Sequence, residues 1–232
     1  MHPSALRTAQ LFSQVYCNRS DYTLVELGSQ TVLGQPSLRP VFVGASRYIG
    51  LDCCEGDGVD VVMDDSYAIP LDDETADVVI SSSCLEHADF FWISFLEMVR
   101  ILKRDGILYI NAPSNGEFHR HPVDCWRFYP DSGLALQKWA RHNGMSLTML
   151  ESFTCNQQGD AWNDFVAVFC KGDAPPQGCS ERIIDRISEF TNGRVYGNED
   201  FLQPAVLSED MARRRLAAYH VDYPTKGRIQ WS

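Results

Sequence analysis

Runs of basic charge are missing from this chain. No five or six lysines and arginines stand together in its 232 residues, and 20 basic side chains face 31 acidic ones, for a formal net charge of −11. Such a surface repels polyanions on average, so nucleic acid is not an expected partner. A local basic patch such as Arg213-Arg214-Arg215 reads instead as the solvated face of a helix. Long apolar runs are missing too: nothing approaches the ~20 residues that cross a bilayer, and no membrane span is expected. The opening MHPSALRTAQLFSQVYC has no basic segment leading into a continuous apolar core, so it does not read as a secretory signal, and a cytoplasmic location is expected. The eight cysteines (17, 53, 54, 84, 125, 155, 170 and 179) include no C-x-x-C spacing. Cys53 and Cys54 are too close for an ordinary bridge or a zinc knuckle, which leaves scattered reduced thiols as the plain reading.

What is present is a series of short apolar runs. YTLVELGS, RYIGLD, GVDVVMDD, ADVVISSS and GILYINAPS each read as a buried strand. Continuous apolar runs separated by crossovers are what parallel strands covered on both faces require. SLTMLES and DFVAVFCK follow without a helix between them, which predicts an antiparallel pair at the end of the sheet. The expected fold is α/β: a Rossmann-like, seven-stranded, mostly parallel sheet with an antiparallel last strand and helices on both faces.

The helices are read from periodicity. Residues 5–17 carry an apolar stripe. In DFFWISFLEMVRILKRDG the polar positions Ser94, Glu97, Arg100 and Lys103 recur every three residues, which predicts a helix buried over most of its circumference, with Asp89 as its N-cap. SGLALQKWARHNGM predicts a helix started by Asp131 or Ser132 and stopped at Asn143-Gly144. The domain is expected to span 1–172, with an insertion at 113–131. Residues 173–232 form a C-terminal extension, with helices expected at 180–190 and 208–219. It is too poor in apolar residues to fold alone and is expected to pack on the domain or on a partner subunit, a homodimer being one outcome.

Ligands of an open parallel sheet sit at the carboxyl ends of the strands, near the switch in strand order. Here those ends carry Glu26 and Gly28 after the first strand, Asp52 after the second, Asp64-Asp65 after the third and Ser81-Ser82-Ser83 after the fourth. A glycine turn with an acid at the end of strand two suits a ligand carrying an adenosine ribose, whose hydroxyls a carboxylate accepts.

At these residues the chain resembles the class I S-adenosylmethionine-dependent methyltransferases. The features that carry the likeness are Asp52, the turn Asp65-Ser66-Tyr67-Ala68-Ile69-Pro70, ADVVIS, Leu85-Glu86-His87 and LKRDG; the likeness covers about residues 23–170. It implies S-adenosylmethionine as cofactor, held by Glu26, Gly28, Gln30, Asp52, Asp65, Ser66 and Ser82. The departure is the first loop: ELGSQTVLG keeps Gly28 but has Ser29-Gln30 where the family commonly has further glycines, so part of the contact must come from side chains, with Gln30 a candidate. A chain that binds the cofactor only as a silent scaffold is the alternative this departure raises.

The acceptor side falls to the turn after strand four and to EFHRHPVDCWRFYPDSG. His87 reads either as a general base or as a residue that orients its loop. His119 and His121 stand two apart, and Pro122 biases His121 towards an extended backbone that turns both rings to one side. With Asp124 they make a divalent metal imaginable but not favoured. The catalytic candidates are therefore His87, His119 and Asp124. The segment resembles a subset of the same family associated with glycan and secondary-metabolite assembly. That likeness implies O-methylation of a sugar-containing acceptor, with His121, Trp126 and Arg127 contacting substrate and Trp126 and Phe128 stacking on a sugar face. The alternative for Asp124, Trp126 and Arg127 is that they brace the loop, and N- or carboxyl-methylation of a small metabolite is the alternative reaction.

Overall fold

The computed structural model describes residues 3–32, 36–159 and 161–220. Its centre is one sheet built from β1 (Tyr22–Leu27), β2 (Ala45–Asp52), β3 (Val61–Val62), β4 (Ala76–Ser82), β5 (Leu102–Pro113), β6 (Leu147–Cys155), β7 (Asp164–Lys171) and β8 (Phe190–Val195). The spatial order is β3-β2-β1-β4-β5-β7-β6-β8. The pairs from β3 to β5 are parallel, and β7 runs antiparallel to both β5 and β6. The strand order therefore reverses between β1 and β4, and the cleft expected for a ligand lies at the carboxyl ends of those two strands.

The unbroken apolar runs are explained by the two faces of the sheet. Successive strand residues point to opposite sides. Val25, Val79, Leu108, Ile110 and Ala167 go to one core, and Leu24, Val78, Ile80, Tyr109 and Val168 to the other. The first core is closed by α2 (Phe91–Ile101) and α3 (Ser132–His142), through Phe95, Met98, Val99, Leu136 and Ala140. The second is closed by α1 (Pro3–Tyr16), whose Phe12 meets Tyr109 with ring centroids 4.6 Å apart. Between β1 and β2 the described residues hold only a 3-10 turn at Arg39–Val41, in keeping with the glycines and prolines there.

Three expectations are corrected. Among the described residues the sheet has eight strands, not seven. The eighth, FTNGRV, pairs antiparallel with β6, Glu151 opposite Val195 and Cys155 opposite Phe190. Its pattern was hidden by Asn192-Gly193, where Asn192 takes φ 52°, and by a register shift between Ser152 and Thr154; such irregularities break period-two alternation. The helix expected at 180–190 is only a 3-10 turn, Ile183–Arg186. The buried Glu151 carboxylate accepts the backbone N–H groups of Ile183 (2.8 Å) and Ile184 (3.1 Å), and the chain then runs extended into β8. Finally, the N-cap of α2 is Phe90, without a side-chain cap; Asp89 instead accepts from the Cys125 thiol. The helix expected near 208–219 is α4 (Glu209–His220). No helix among the described residues is long and apolar enough to cross a membrane.

Candidate active site

On one side of the cleft the carboxyl ends of β1 and β2 are laced together. Gly28 and Ser29 donate their backbone N–H groups to Leu51 O, and Thr31 donates to Asp57 O. Gly28 takes φ +84°, and a Cβ there would come within 2.4 Å of the Cys84 Cβ, so the loop after β4 closes directly over it. Asp52 accepts the N–H of Cys53 at Oδ1 (2.8 Å) and of Gln30 at Oδ2 (3.0 Å). Oδ1 also takes the Cys53 thiol at 3.5 Å, and Oδ2 keeps a second acceptor site for a ribose hydroxyl. The Gln30 side chain is turned away from this acid: its amide donates to Glu55 O and packs on Gly56. Glu26 is buried and accepts the Tyr48 hydroxyl at 2.5 Å. Burial pushes its carboxyl up to about 7, against that hydrogen bond.

Asp65 and Ser66 stand exposed after β3, with Asp65 accepting the N–H of Tyr67 (2.8 Å). At the end of β4, Ser81 is buried beside the Cys84 thiol, while the buried Ser82 hydroxyl has no partner among the described residues, nor has Oδ1 of Asn111, which lies opposite Ser82 on β5. Buried polar atoms without partners cost free energy unless a ligand or water completes them. A polar cofactor lying across these strand ends would complete them, so the residues present fit S-adenosylmethionine. Ser81 and Ser29 were not among the sequence candidates; their position beside marked residues was the available signal.

On the other side, β4 leads into a 3-10 turn, Leu85–His87, against which the 114–131 segment folds. Glu86 O accepts the N–H of Cys125 (2.8 Å) and of Trp126 (3.3 Å). The Glu86 side chain is 1% exposed, and its Oε2 has no partner among the described residues. Burial pushes its carboxyl up to about 8. The His87 ring donates from Nδ1 to Val123 O at 2.5 Å, and its Nε2 stands 3.7 Å from Glu86 Oε1. Burial lowers its pKa below the usual imidazole value. His119 donates from Nδ1 to Glu117 O at 3.0 Å, with Asp124 Oδ2 3.4 Å from the same nitrogen. The His87 ring lies 5.0 Å from that of His119 and 5.9 Å from that of His121, so three imidazoles converge on one spot.

Asp124 and Arg127 spend their polar atoms on the loop itself. The Asp124 side chain is 1% exposed, grips Arg127 through both oxygens (2.5 and 2.9 Å), and accepts the N–H of His119 (2.8 Å). Arg127 also donates to Trp126 O and Glu117 O. This pairing holds the Asp124 carboxyl down at about 2. Trp126 donates to Ala88 O at 2.9 Å and packs edge-on against Phe91. Phe128 is 2% exposed in the core, which corrects the expectation that it stacks on a sugar. The exposed aromatic side chains of the segment are Phe118 and Tyr129.

Comparison with known proteins agrees with this fold. Residues 26–110 match the family described as a methyltransferase domain, from the acid of β1 to Ile110 of β5. Solved structures share the fold at low identity. The YcgJ protein of Bacillus subtilis is 11% identical, with a TM-score of 0.52 over 75% of this chain and 100% of that one. A Burkholderia thailandensis 1,6-didemethyltoxoflavin-N1-methyltransferase, solved with S-adenosylhomocysteine, is 15% identical, with a TM-score of 0.55 over 73% of this chain and 79% of that one. A Haloferax volcanii chain solved with the Trm112 methyltransferase activator is 16% identical, with a TM-score of 0.51 over 72% and 89%. No curated protein matches in sequence. The fold is thus that of the class I methyltransferases. The methyltransferase-domain match lies on the strand ends that carry Glu26, Gly28 and Asp52, the side of this fold suited to S-adenosylmethionine.

Proposed function

We propose that this chain is an S-adenosylmethionine-dependent methyltransferase acting on a hydroxyl of a sugar-containing acceptor. The observation that carries the reading is the convergence of His87, His119 and His121 beside the cleft, at the end of β4. S-adenosylmethionine, when bound, supplies an electrophilic methyl group on a sulfonium. Glu26, Gly28, Asp52 and Ser82 line its side of the cleft, and Asp65 with Ser66 lies beyond β3, while Gln30 holds the loop that carries Gly28. A sugar hydroxyl is a poor nucleophile unless its proton is taken as the new bond forms. His87 is suited to take it: its Nδ1–H is committed to Val123 O, which leaves the Nε2 lone pair available. His119 is arranged in the same way on Glu117 O. Asp124, Trp126 and Arg127 act on this chemistry by bracing the segment that carries His119 and His121. Phe118 and Tyr129 present exposed rings on which a sugar can stack.

The test is transfer of a labelled methyl group to a panel of acceptors bearing sugar hydroxyls, amines and carboxylates. Label in a base-stable ether is the expected product. His87→Ala should lower kcat by roughly 10²- to 10⁴-fold while leaving the affinity for S-adenosylmethionine unchanged. Label found only on amines or carboxylates would overturn the hydroxyl assignment.

A further inference from the structure

The same histidines have a second property that proton transfer does not require. Glu86, His87 and His119 each offer a donor atom, and the three lie within 4.8 Å of one another. Ligands bonded to one zinc-sized ion at 2.0–2.1 Å in a tetrahedron stand about 3.4 Å apart. The Glu86 Oε1 to His87 Nε2 distance is already 3.7 Å. Closing the rest takes side-chain movements of under an ångström or so, with no rearrangement of the chain.

Two further observations point to an ion. Metal-binding histidines hold their second ring nitrogen on a carbonyl or carboxylate, which sets the tautomer and aims the other nitrogen. Both rings do this here: His87 through Val123 O, His119 through Glu117 O with the Asp124 carboxylate behind it. Asp124 is in turn held by Arg127, so it is an outer partner and not a ligand. Independently, Glu86 is 1% exposed, and its Oε2, beside the Oε1 that faces His87, has no partner among the described residues. A carboxylate buried among imidazoles with an unused oxygen is completed by a cation.

We propose that Glu86, His87 and His119 bind one divalent transition-metal ion of the zinc class, leaving an open position towards the cleft. Two imidazoles and a carboxylate with an open position are the donor set of catalytic rather than structural sites. Binding of the ion does not depend on what the acceptor is. Its task rests on the reading above: an acceptor hydroxyl placed at the open position becomes more acidic. In the metal-loaded protein the Nε2 of His87 is a ligand, so the proton-accepting role given to His87 above passes to His121, 5.9 Å away and outside the ligand set.

The experiment uses tag-free, metal-stripped full-length protein titrated with Co2+, followed by visible absorption and then by displacement with Zn2+. One equivalent should produce a ligand-field band, and zinc should remove it. Glu86→Gln and His119→Ala should each raise the Co2+ Kd at least ten-fold. His142→Ala, on a ring stacked against Trp139 away from the cluster, should leave it unchanged. Melting curves of the variants separate lost ligands from lost folding. No band at one equivalent, or a band of equal affinity in folded Glu86→Gln and His119→Ala, overturns the site. Metal binding without methylation of any sugar hydroxyl would leave the site standing and reject the acceptor class.

Discussion

At the scale of residues, the 117–127 segment depends on one buried ion pair. Asp124 is nearly sealed from solvent, and its charge is balanced by Arg127 through two hydrogen bonds. Removing one member of such a pair leaves the other buried and uncompensated, which costs far more than the pair itself contributes. Arg127→Ala should therefore destabilise the protein by about 3 kcal/mol, read from the urea unfolding midpoint. It should also release His119, whose backbone N–H is held by Asp124, and raise proteolytic cleavage within 117–127. A midpoint unchanged to within a few tenths of a kcal/mol would show that the pair is an ornament of the surface. The same scale explains why sequence reading divided over these residues. Asp-x-Trp-Arg offers hydrogen bonds and an aromatic face whether it faces a sugar or its own loop. Only the partners Glu117 O, Trp126 O and Ala88 O reveal where those groups are spent.

At the scale of elements, Glu151 ties three pieces together. It lies on β6, accepts the Tyr16 hydroxyl from the end of α1 at 2.6 Å, and accepts two backbone N–H groups from the 3-10 turn at 183–186. Glu151→Ala would leave those donors buried without an acceptor, at roughly 1–3 kcal/mol for the most costly of them. The expected result is a loss of about 3 kcal/mol overall, with hydrogen exchange quickened first at Ile183, Ile184 and β8. Equal protection of those amides in the variant would sink the account. Legibility follows burial here. Strands β1, β4, β5 and β7 are covered on both faces and had to be written as apolar runs, so they were readable. β8 has Thr191, Asn192, Gly193 and Arg194 in the middle, and its place comes from pairing with β6 rather than from its own pattern.

At the scale of the whole molecule, stability should decline as pH rises from mildly acidic to alkaline. Burial pushes the carboxyls of Glu26 and Glu151 up to about 7, whereas in an unfolded chain each titrates near 4.5. Between those values the folded state holds protons that the unfolded state has released, so stability is full below about 4.5 and is lost as pH climbs through 7. Asp124, held at about 2, contributes in the opposite window and is lost only as pH falls from 3.8 towards 2. His87, lowered by burial, favours higher pH, but it is one group against three, since Glu86 is raised by burial as well, to about 8. The net charge of −11 at pH 7 adds self-repulsion in the same direction as the glutamates. The melting temperature is expected to be highest near pH 5 and lower by several degrees at pH 8. A melting temperature that rises across that interval would contradict the assignment, and Glu151→Gln should flatten the slope.

The sequence by itself determined the architecture and which residues stand at its strand ends. A strand buried on both faces must be apolar throughout, and the cleft of a doubly wound sheet must open at strand ends, so Glu26, Asp52, Asp65 and Ser82 could be placed by position alone. Tertiary structure decided the histidine cluster. Glu86 and His87 are separated from His119 by 32 and more residues, and no local pattern brings them within 4.8 Å. That proximity arises because Glu86 O takes the backbone N–H groups of Cys125 and Trp126, pinning the far segment onto the turn after β4. Hydrogen bonds of that range carry no periodicity, and so leave no mark in the order of residues.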